Sequence, residues 1–278
     1  MGEALTIERQ EIASWPFDEL TSSRVTMPND ILWPLPPAQP NLSATDVHVW
    51  AAQLDLSPGA LASLAAILDE AESARATRFR SHTHQNRFIA ARGALRSILG
   101  TYLDCAPDEL QFDYGAHGKP ALTGRFAECG LFFNLAHSED LALLAVTRLG
   151  PIGVDVERVR PMADADELVE RFFSPRENAL FQQLSCDKKN VAFFNLWTRK
   201  EAWLKATGEG IAHSLNRVEV TFLPGEPAQL LSLPECSDST EKWALHELLP
   251  APGFDGAVAL PNLQFSICNF QFPIPKLL

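Results

Sequence analysis

The stretch "WTRKEAWLKATGEG", residues 197–210, reads as a helix running into a glycine, and it carries charge where a folded chain should not want it. At about 100° per residue, Phe193, Phe194, Trp197 and Leu204 fall on one apolar arc, and Glu201 falls inside that arc. Lys205 lies one turn further on, at the edge of the same face. A carboxylate drawn off water without a partner raises its own pKa or costs stability. Lys205, at i+4, offers the plain answer, a helix ion pair worth about 0.2–0.5 kcal/mol on a surface. The alternative needs acids from elsewhere in the chain with something positive between them.

"PIGVDVERV", residues 151–159, supplies such acids. As a strand it sends Ile152, Val154 and Val156 to one side and Gly153, Asp155 and Glu157 to the other. The two carboxylates then share a face, with Cα atoms roughly 6–7 Å apart, within reach of one hard cation. Taken alone, the same alternation describes a strand with one wet face. With Glu201 brought alongside, three carboxylates would repel one another unless a cation sat among them. Mg²⁺, which takes carboxylate, water and phosphate oxygens, fits that description. Arg75, Arg78, Arg80, Arg87, Arg92 and Arg96 lie in a strip, residues 75–103, that contains no Asp or Glu. Guanidinium and ammonium groups pair with phosphate oxygens, so acids and basic strip together point to a phosphorylated substrate. Residue chemistry reaches a Mg²⁺-dependent transfer involving phosphate or diphosphate, and stops there. No G-x-x-x-x-G-K-[ST], G-x-G-x-x-G or G-x-S-x-G occurs, which disfavours P-loop, kinase, Rossmann and nucleophile-elbow enzymes.

Composition sets the outer bounds. With 278 residues, 46% hydrophobic and 21% charged, the chain can bury a full core as one large domain or two smaller ones. No run approaches the roughly 18–20 apolar residues of a membrane helix. No basic segment followed by an apolar run opens the sequence, so a cytoplasmic protein without membrane association is expected. A formal charge of −12 argues against a nucleic-acid partner. Five cysteines without a C-x-x-C pair fit reduced thiols better than disulfides or zinc.

Residues 1–45 hold six of the twenty prolines, including "WPLPPAQPN", and read as an extended proline-rich arm that packs on the body through Trp15 and Trp33. The body opens with a strand at "DVHVWAAQLDL". A helical segment follows, capped by Ser57 and begun by Pro58, and then the helix "HQNRFIAARGALRSILGTYL". Short strands with Gly and Pro punctuation lead to "GVDVERV", helices continue to residue 207, and strands return at "RVEVTFL", "KWALHEL" and "LQFSICNF". Strand, helices, strands, helices, strands is an α+β order with two similar halves, 46–150 and 151–278, meeting near Gly150. "TRFRS" at 77–81 and "ERFFS" at 170–174 are a faint internal echo in support.

Together the motifs resemble the 4′-phosphopantetheinyl transferases of the larger, Sfp-like class. "GVDVE" is similar to that family's G-[IV]-D-[IV]-E block, and "WTRKEAWLKATGEGI" to its W-[ST]-x-K-E-[AS]-x-x-K-x-x-G-x-G block. "RFFSPRE" lies between them, with "GKP" at 118–120 and "FNLAHS" at 133–138 upstream in the family's order. The resemblance covers roughly residues 45–265. It implies two pseudo-symmetric halves in one monomeric chain, with coenzyme A bound between them and an apo carrier protein as acceptor. It places Mg²⁺ on Asp155, Glu157 and Glu201, and Lys205 on the coenzyme A diphosphate. Lys119, Pro120 and His137 match positions near coenzyme A phosphates, and Arg75, Arg87 and Arg92 are candidates for its 3′-phosphate or diphosphate.

The reaction implied is attack of a carrier-protein serine on the β-phosphate, with release of adenosine 3′,5′-bisphosphate. Glu201 is the first candidate for the base, and Glu177 the second, with a helix-capping role for Glu177 as its alternative. One departure is Ala136, where the family usually has serine before the histidine; the missing hydroxyl implies weaker coenzyme A binding by about 0.5–1.5 kcal/mol. Two other readings remain: a coenzyme A or carrier-binding module without catalysis, and a Mg²⁺-dependent nucleotide hydrolase. Whether the acceptor serves fatty-acid, polyketide or nonribosomal peptide synthesis is not written in these motifs.

Overall fold

Gly153 has no room for a side chain. A Cβ there would stand 2.0 Å from the carbonyl oxygen of Ala202 and 2.3 Å from the amide nitrogen of Ala206. The strand bearing Asp155 and Glu157 therefore lies directly on the backbone of the helix bearing Glu201 and Lys205. This contact, and the fold around it, come from a computed structural model describing residues 31–273 except 38, 116–117, 209–214 and 234–238.

In chain order the elements are β1 (Asp46–Gln53), α1 (Pro58–Ala65), α2 (Glu70–Ala76), α3 (His82–Leu103), β2 (Phe112–Tyr114), β3 (Pro120–Leu122), β4 (Phe132–Ser138) and β5 (Leu141–Thr147). The second set is β6 (Gly153–Arg158), α4 (Ala165–Phe172), α5 (Pro175–Gln182), α6 (Cys186–Thr207), β7 (Glu219–Val220), β8 (Leu230–Ser232), β9 (Trp243–Leu248), β10 (Phe254–Pro261) and β11 (Ser266–Gln271). Each set is a strand, three helices, a small hairpin and further strands. β1 pairs antiparallel with β5 and β5 with β4, while β6 pairs antiparallel with β10 and β10 with β9. The two sheets repeat one topology, as two pseudo-symmetric α+β halves require.

Strand alternation explains the layering. Trp50, Ala52, Leu144 and Val146 face α3, packing on Leu95, Ile98 and Leu99. The intervening residues Val47, Val49, Ala51, Leu141, Leu143 and Ala145 meet Ile152, Val154, Val156, Val258 and Leu260 of the second sheet. The order is helix, sheet, sheet, helix, and the halves join through sheet faces. Polar ties at the seam fix the register: Val154 N donates to Asn134 Oδ1 at 2.8 Å and Arg158 N to Ser138 Oγ at 3.2 Å.

Four expectations change in detail. The helical run after Ser57 is two helices, because Asp69 and Glu72 form a reciprocal capping box that starts α2 afresh. Part of the proline-rich stretch lies within the body: Trp33, expected to pack on it, sits in the core between the sheets, and Leu42 packs under the first sheet. Trp15 lies outside the described residues. β11, from the second segment, pairs parallel with β1 and extends the first half's sheet. The echo "TRFRS" and "ERFFS" does not mark equivalent points, since the first precedes α3 and the second precedes α5.

Candidate active site

β6 and the last two turns of α6 bring the acids together. Asp155 is buried; its Oδ1 accepts a hydrogen bond from Lys205 Nζ at 2.6 Å, and its Oδ2, also buried, accepts none. Glu201 is 3% exposed, with Oε2 4.0 Å from Lys205 Nζ. The i,i+4 pair is thus the looser contact, and the tighter one crosses to the strand. Glu157 Oε2 accepts from Ser138 Oγ at 2.7 Å.

Burial, and then the neighbouring Asp155 charge, push Glu157 up to about 7. Burial also raises Asp155, against the lowering by the Lys205 ammonium. Lys205 is itself held above the ordinary lysine value: burial pulls it down, and the attraction of Asp155 and Glu201 outweighs that. Asp155 is raised although an ammonium touches it, and Glu157 is raised beside it, because burial disfavours these charges by more than Lys205 offsets.

Next to the acids lies a basic patch. His137, on β4, is open to solvent, yet its pKa falls to about 4, from burial first and then from the charges of Lys205, Arg87, His84 and Arg75. Groups that together disfavour an imidazolium favour an anion. Arg75 is exposed, with its guanidinium 5.4 Å from the Phe88 ring. Arg87 is near the same place, held by Asp55 through two hydrogen bonds of 2.7 and 2.9 Å. Lys119 Nζ donates to the carbonyl oxygens of Lys205 at 2.6 Å and Ile152 at 3.0 Å, and burial brings it down to about 8. Pro120 opens β3 beside it.

Two candidates have other employment. Arg92 is buried against Glu72 at 2.5 Å, hydrogen-bonded to the Tyr114 hydroxyl at 2.6 Å and 5.1 Å from the Phe112 ring centre. Its Nε and Nη2 groups are engaged by Glu72 and Tyr114 inside the first half, which gives it a structural role there. Glu177 is 2% exposed: Oε1 accepts from Val220 N at 3.0 Å, and Oε2 from Ser174 N at 3.0 Å and Lys200 Nζ at 2.5 Å. This is the capping role, and a carboxylate so occupied cannot take a substrate proton. Ala136, where the family's serine is missing, is buried in the apolar layer between the sheets.

Two neighbours escaped the sequence reading. Asp255, on β10 directly opposite Glu157, is buried; burial raises it to about 7, and the Thr198 hydroxyl lies 3.1 Å from its Oδ2. "FDGAVALP" shows an alternating strand, but its register against β6 is a tertiary fact. Ser138 stands one residue beyond the histidine and gave no signal of its own. Among the described residues no group of three or more His, Cys, Asp or Glu side chains is arranged so that it could hold a metal ion as it stands. The chemistry of the donor set nevertheless suits a hard divalent ion: the donors are all carboxylate oxygens, Asp155 and Glu157 are raised by burial, and Asp155 Oδ2 accepts no hydrogen bond.

Acids that want a cation, set beside bases that want an anion, suit a molecule that carries phosphate groups. Residues 151–258 match the family model of the 4′-phosphopantetheinyl transferase superfamily, and residues 55–149 match that of the 4′-phosphopantetheinyl transferase N-terminal region. The chain belongs to the 4′-phosphopantetheinyl transferase family and is an enzyme of that kind. It is 47% identical over 226 residues to the 4′-phosphopantetheinyl transferase HetI of Nostoc sp., spanning 81% of this chain and 92% of that protein. It is 40% identical over 181 residues to a putative 4′-phosphopantetheinyl transferase of Synechocystis sp., spanning 65% of this chain and 71% of that one. The psf-1 transferase of Bacillus pumilus is 32% identical over 51% of this chain and 59% of its own length. No helix among the described residues is long and apolar enough to cross a membrane.

Proposed function

We propose that this enzyme transfers the 4′-phosphopantetheine group of coenzyme A to a serine of an apo acyl or peptidyl carrier protein in the cytoplasm, releasing adenosine 3′,5′-bisphosphate. The observation that carries this reading is the junction of two opposite needs. Buried Asp155 and Glu201 and half-buried Glu157 lie with one lysine, and His137, Arg75 and Lys205 form a basic patch against them. A molecule with a diphosphate, bound with a divalent cation, answers both.

Asp155, Glu157 and Glu201 would hold Mg²⁺, which supplies charge neutralisation for the diphosphate as the leaving group forms. His137 offers a ring N–H to a phosphate oxygen, and the bound phosphate raises the low pKa that the imidazole has without ligand. Arg75 and Lys205 supply the positive charge. Lys119 acts one step away, fixing the last turn of α6 through the Lys205 carbonyl. Glu201 takes the proton of the carrier serine; the serine oxygen bonds to the β-phosphorus, and the P–O bond to the bridging oxygen breaks with its electron pair leaving on adenosine 3′,5′-bisphosphate.

The test is intact-mass measurement of an apo carrier protein incubated with this enzyme, coenzyme A and Mg²⁺, with an EDTA control. A gain of roughly 340 Da that EDTA abolishes is expected. Hydrolysed coenzyme A with an unmodified carrier would select the hydrolase reading, and neither product with several carriers would select the binding module.

A further inference from the structure

Lys205 stands where the divalent ion is needed. Its ammonium is 2.6 Å from Asp155 Oδ1 and 4.0 Å from Glu201 Oε2, so a monovalent cation already lies between two of the three carboxylates assigned to the metal. Its main chain is fixed from two sides. Lys119 grips the Lys205 carbonyl at 2.6 Å, and Gly153 presses so close that a Cβ there would be 2.8 Å from the Lys205 carbonyl carbon. The side chain, 28% exposed, ends at the boundary between acid cluster and basic patch. The backbone cannot follow a moving ammonium, but the four-carbon stem can swing it by rotamer change alone. Arg87, the guanidinium on that patch, is tied to Asp55 at both nitrogens that face it.

We propose that Lys205 is a built-in stand-in for the metal. With no ligand bound its ammonium neutralises Asp155 and Glu201; to admit a divalent ion it must leave them, and it then turns to the phosphate groups of the substrate. An ammonium and a divalent ion a few ångströms apart repel, so the two cannot share the carboxylates. Metal and phosphate-bearing substrate therefore bind cooperatively, because the phosphates give the displaced ammonium a partner. Lys205 is in this account a selectivity device as well as a ligand: it penalises metal that arrives without substrate. The inference rests on the metal reading given under Proposed function.

The experiment measures Mn²⁺ binding to the full chain, by the electron paramagnetic resonance of free Mn²⁺, with and without coenzyme A. Without coenzyme A, Lys205→Gln is expected to bind Mn²⁺ at least about tenfold tighter than the parent, through removal of a competing charge. It also gains less from adding coenzyme A. Lys205→Arg keeps the charge and should stay weak. In EDTA the Lys205→Gln protein should melt below the parent and recover with Mn²⁺, a readout independent of turnover. Should it not fold in EDTA, Lys205→Met, of similar length and no charge, repeats the measurement. Mn²⁺ affinity in the uncharged variants no tighter than in the parent would overturn the proposal. A parent that binds no Mn²⁺ even with coenzyme A would instead bring down the metal reading, and the stand-in with it.

Discussion

Helices α3 and α6 are both 22 residues long, and both end in a left-handed residue, Asp104 in one and Gly208 in the other. A buried cation sits at the same distance from each end, Arg96 and Lys200, and reaches back to the N3 glutamate of a capping box on the preceding short helix, Glu72 and Glu177. One frame has been built twice, yet the next position differs: Glu201 on α6 answers to Ser97 on α3, and Lys205 to Thr101. Ser97 and Thr101 merely bond back to the carbonyls of Gly93 and Ser97. The strands differ likewise. Against α3, β1 puts His48 and Trp50, closed off by the Tyr102 hydroxyl at 2.6 and 2.9 Å; against α6, β6 puts Asp155 and Glu157. The first interface satisfies its polar groups from within, and the second leaves an acid cluster to be completed by a ligand. Paired buried charges hold the frame, and the chemistry occupies positions the frame does not use.

The largest effect separates these two faces. Asp155→Ala and Glu201→Ala are expected to cut carrier modification by about a thousandfold or more while the protein stays folded. Ser97→Ala and Thr101→Ala, at the matching points of α3, should leave the rate within about twofold. Ordinary turnover by Asp155→Ala at millimolar Mg²⁺ would break the comparison at its centre.

The frame itself is tested by opening its two buried pairs. Glu177→Ala leaves buried Lys200 without its carboxylate, and Glu72→Ala takes one carboxylate from both Arg92 and Arg96, of which Arg96 keeps Asp69; a loss of about 3–5 kcal/mol is expected for the first, read from denaturant unfolding. For Glu177→Ala the expectation is lost stability with turnover per folded molecule kept within about tenfold. Undiminished stability with abolished turnover would return Glu177 to the role of base.

Next in size are the two glycines where helix and neighbour touch. Gly153→Ala drives a methyl into α6 backbone at 2.0 Å, whereas Gly93→Ala meets the Cβ of Leu64 at 2.5 Å and its nearest backbone atom at 3.1 Å. A backbone cannot turn aside, so the first should cost more than the roughly 1–3 kcal/mol typical of overpacking and the second should fall within it. Equal costs would mean that β6 rides less tightly on α6 than the glycine implies.

The sequence was legible wherever a local rule met a local need. Glu201 on an apolar arc, the alternation of "GVDVE" and the order of strands and helices each need only a period of 3.6 or 2. The arginine strip was only partly legible because a run of like charge gives no directions: Arg92, a ligand candidate, turns inward with Arg96 to Glu72, whose own place depends on the capping box of α2. Asp255 was invisible for the complementary reason, that antiparallel register is set by the whole sheet. Trp33 was legible as a packing residue because an indole among prolines has a large apolar area to bury, but its place between the two sheets is set by tertiary packing.

The smallest effect is a pH dependence that distinguishes, by ligand, two histidines of the first sheet, one at the site and one under α3. His137 and His48 both have lowered pKa values, each through burial first, His137 to about 4. Because the unfolded chain takes up the proton first, stability from such a histidine is complete above about pH 6.5 and falls as pH drops through the window toward the folded value. His137→Asn and His48→Asn should each flatten part of the decline in melting temperature between about pH 6.5 and 4. Coenzyme A then tells them apart. A bound phosphate raises the pKa of an imidazole it touches, so the ligand should shrink the decline that His137 causes and leave that of His48 untouched. If coenzyme A changed both alike, His137 would be no nearer the substrate than its buried counterpart, and the basic patch would lose its assigned ligand.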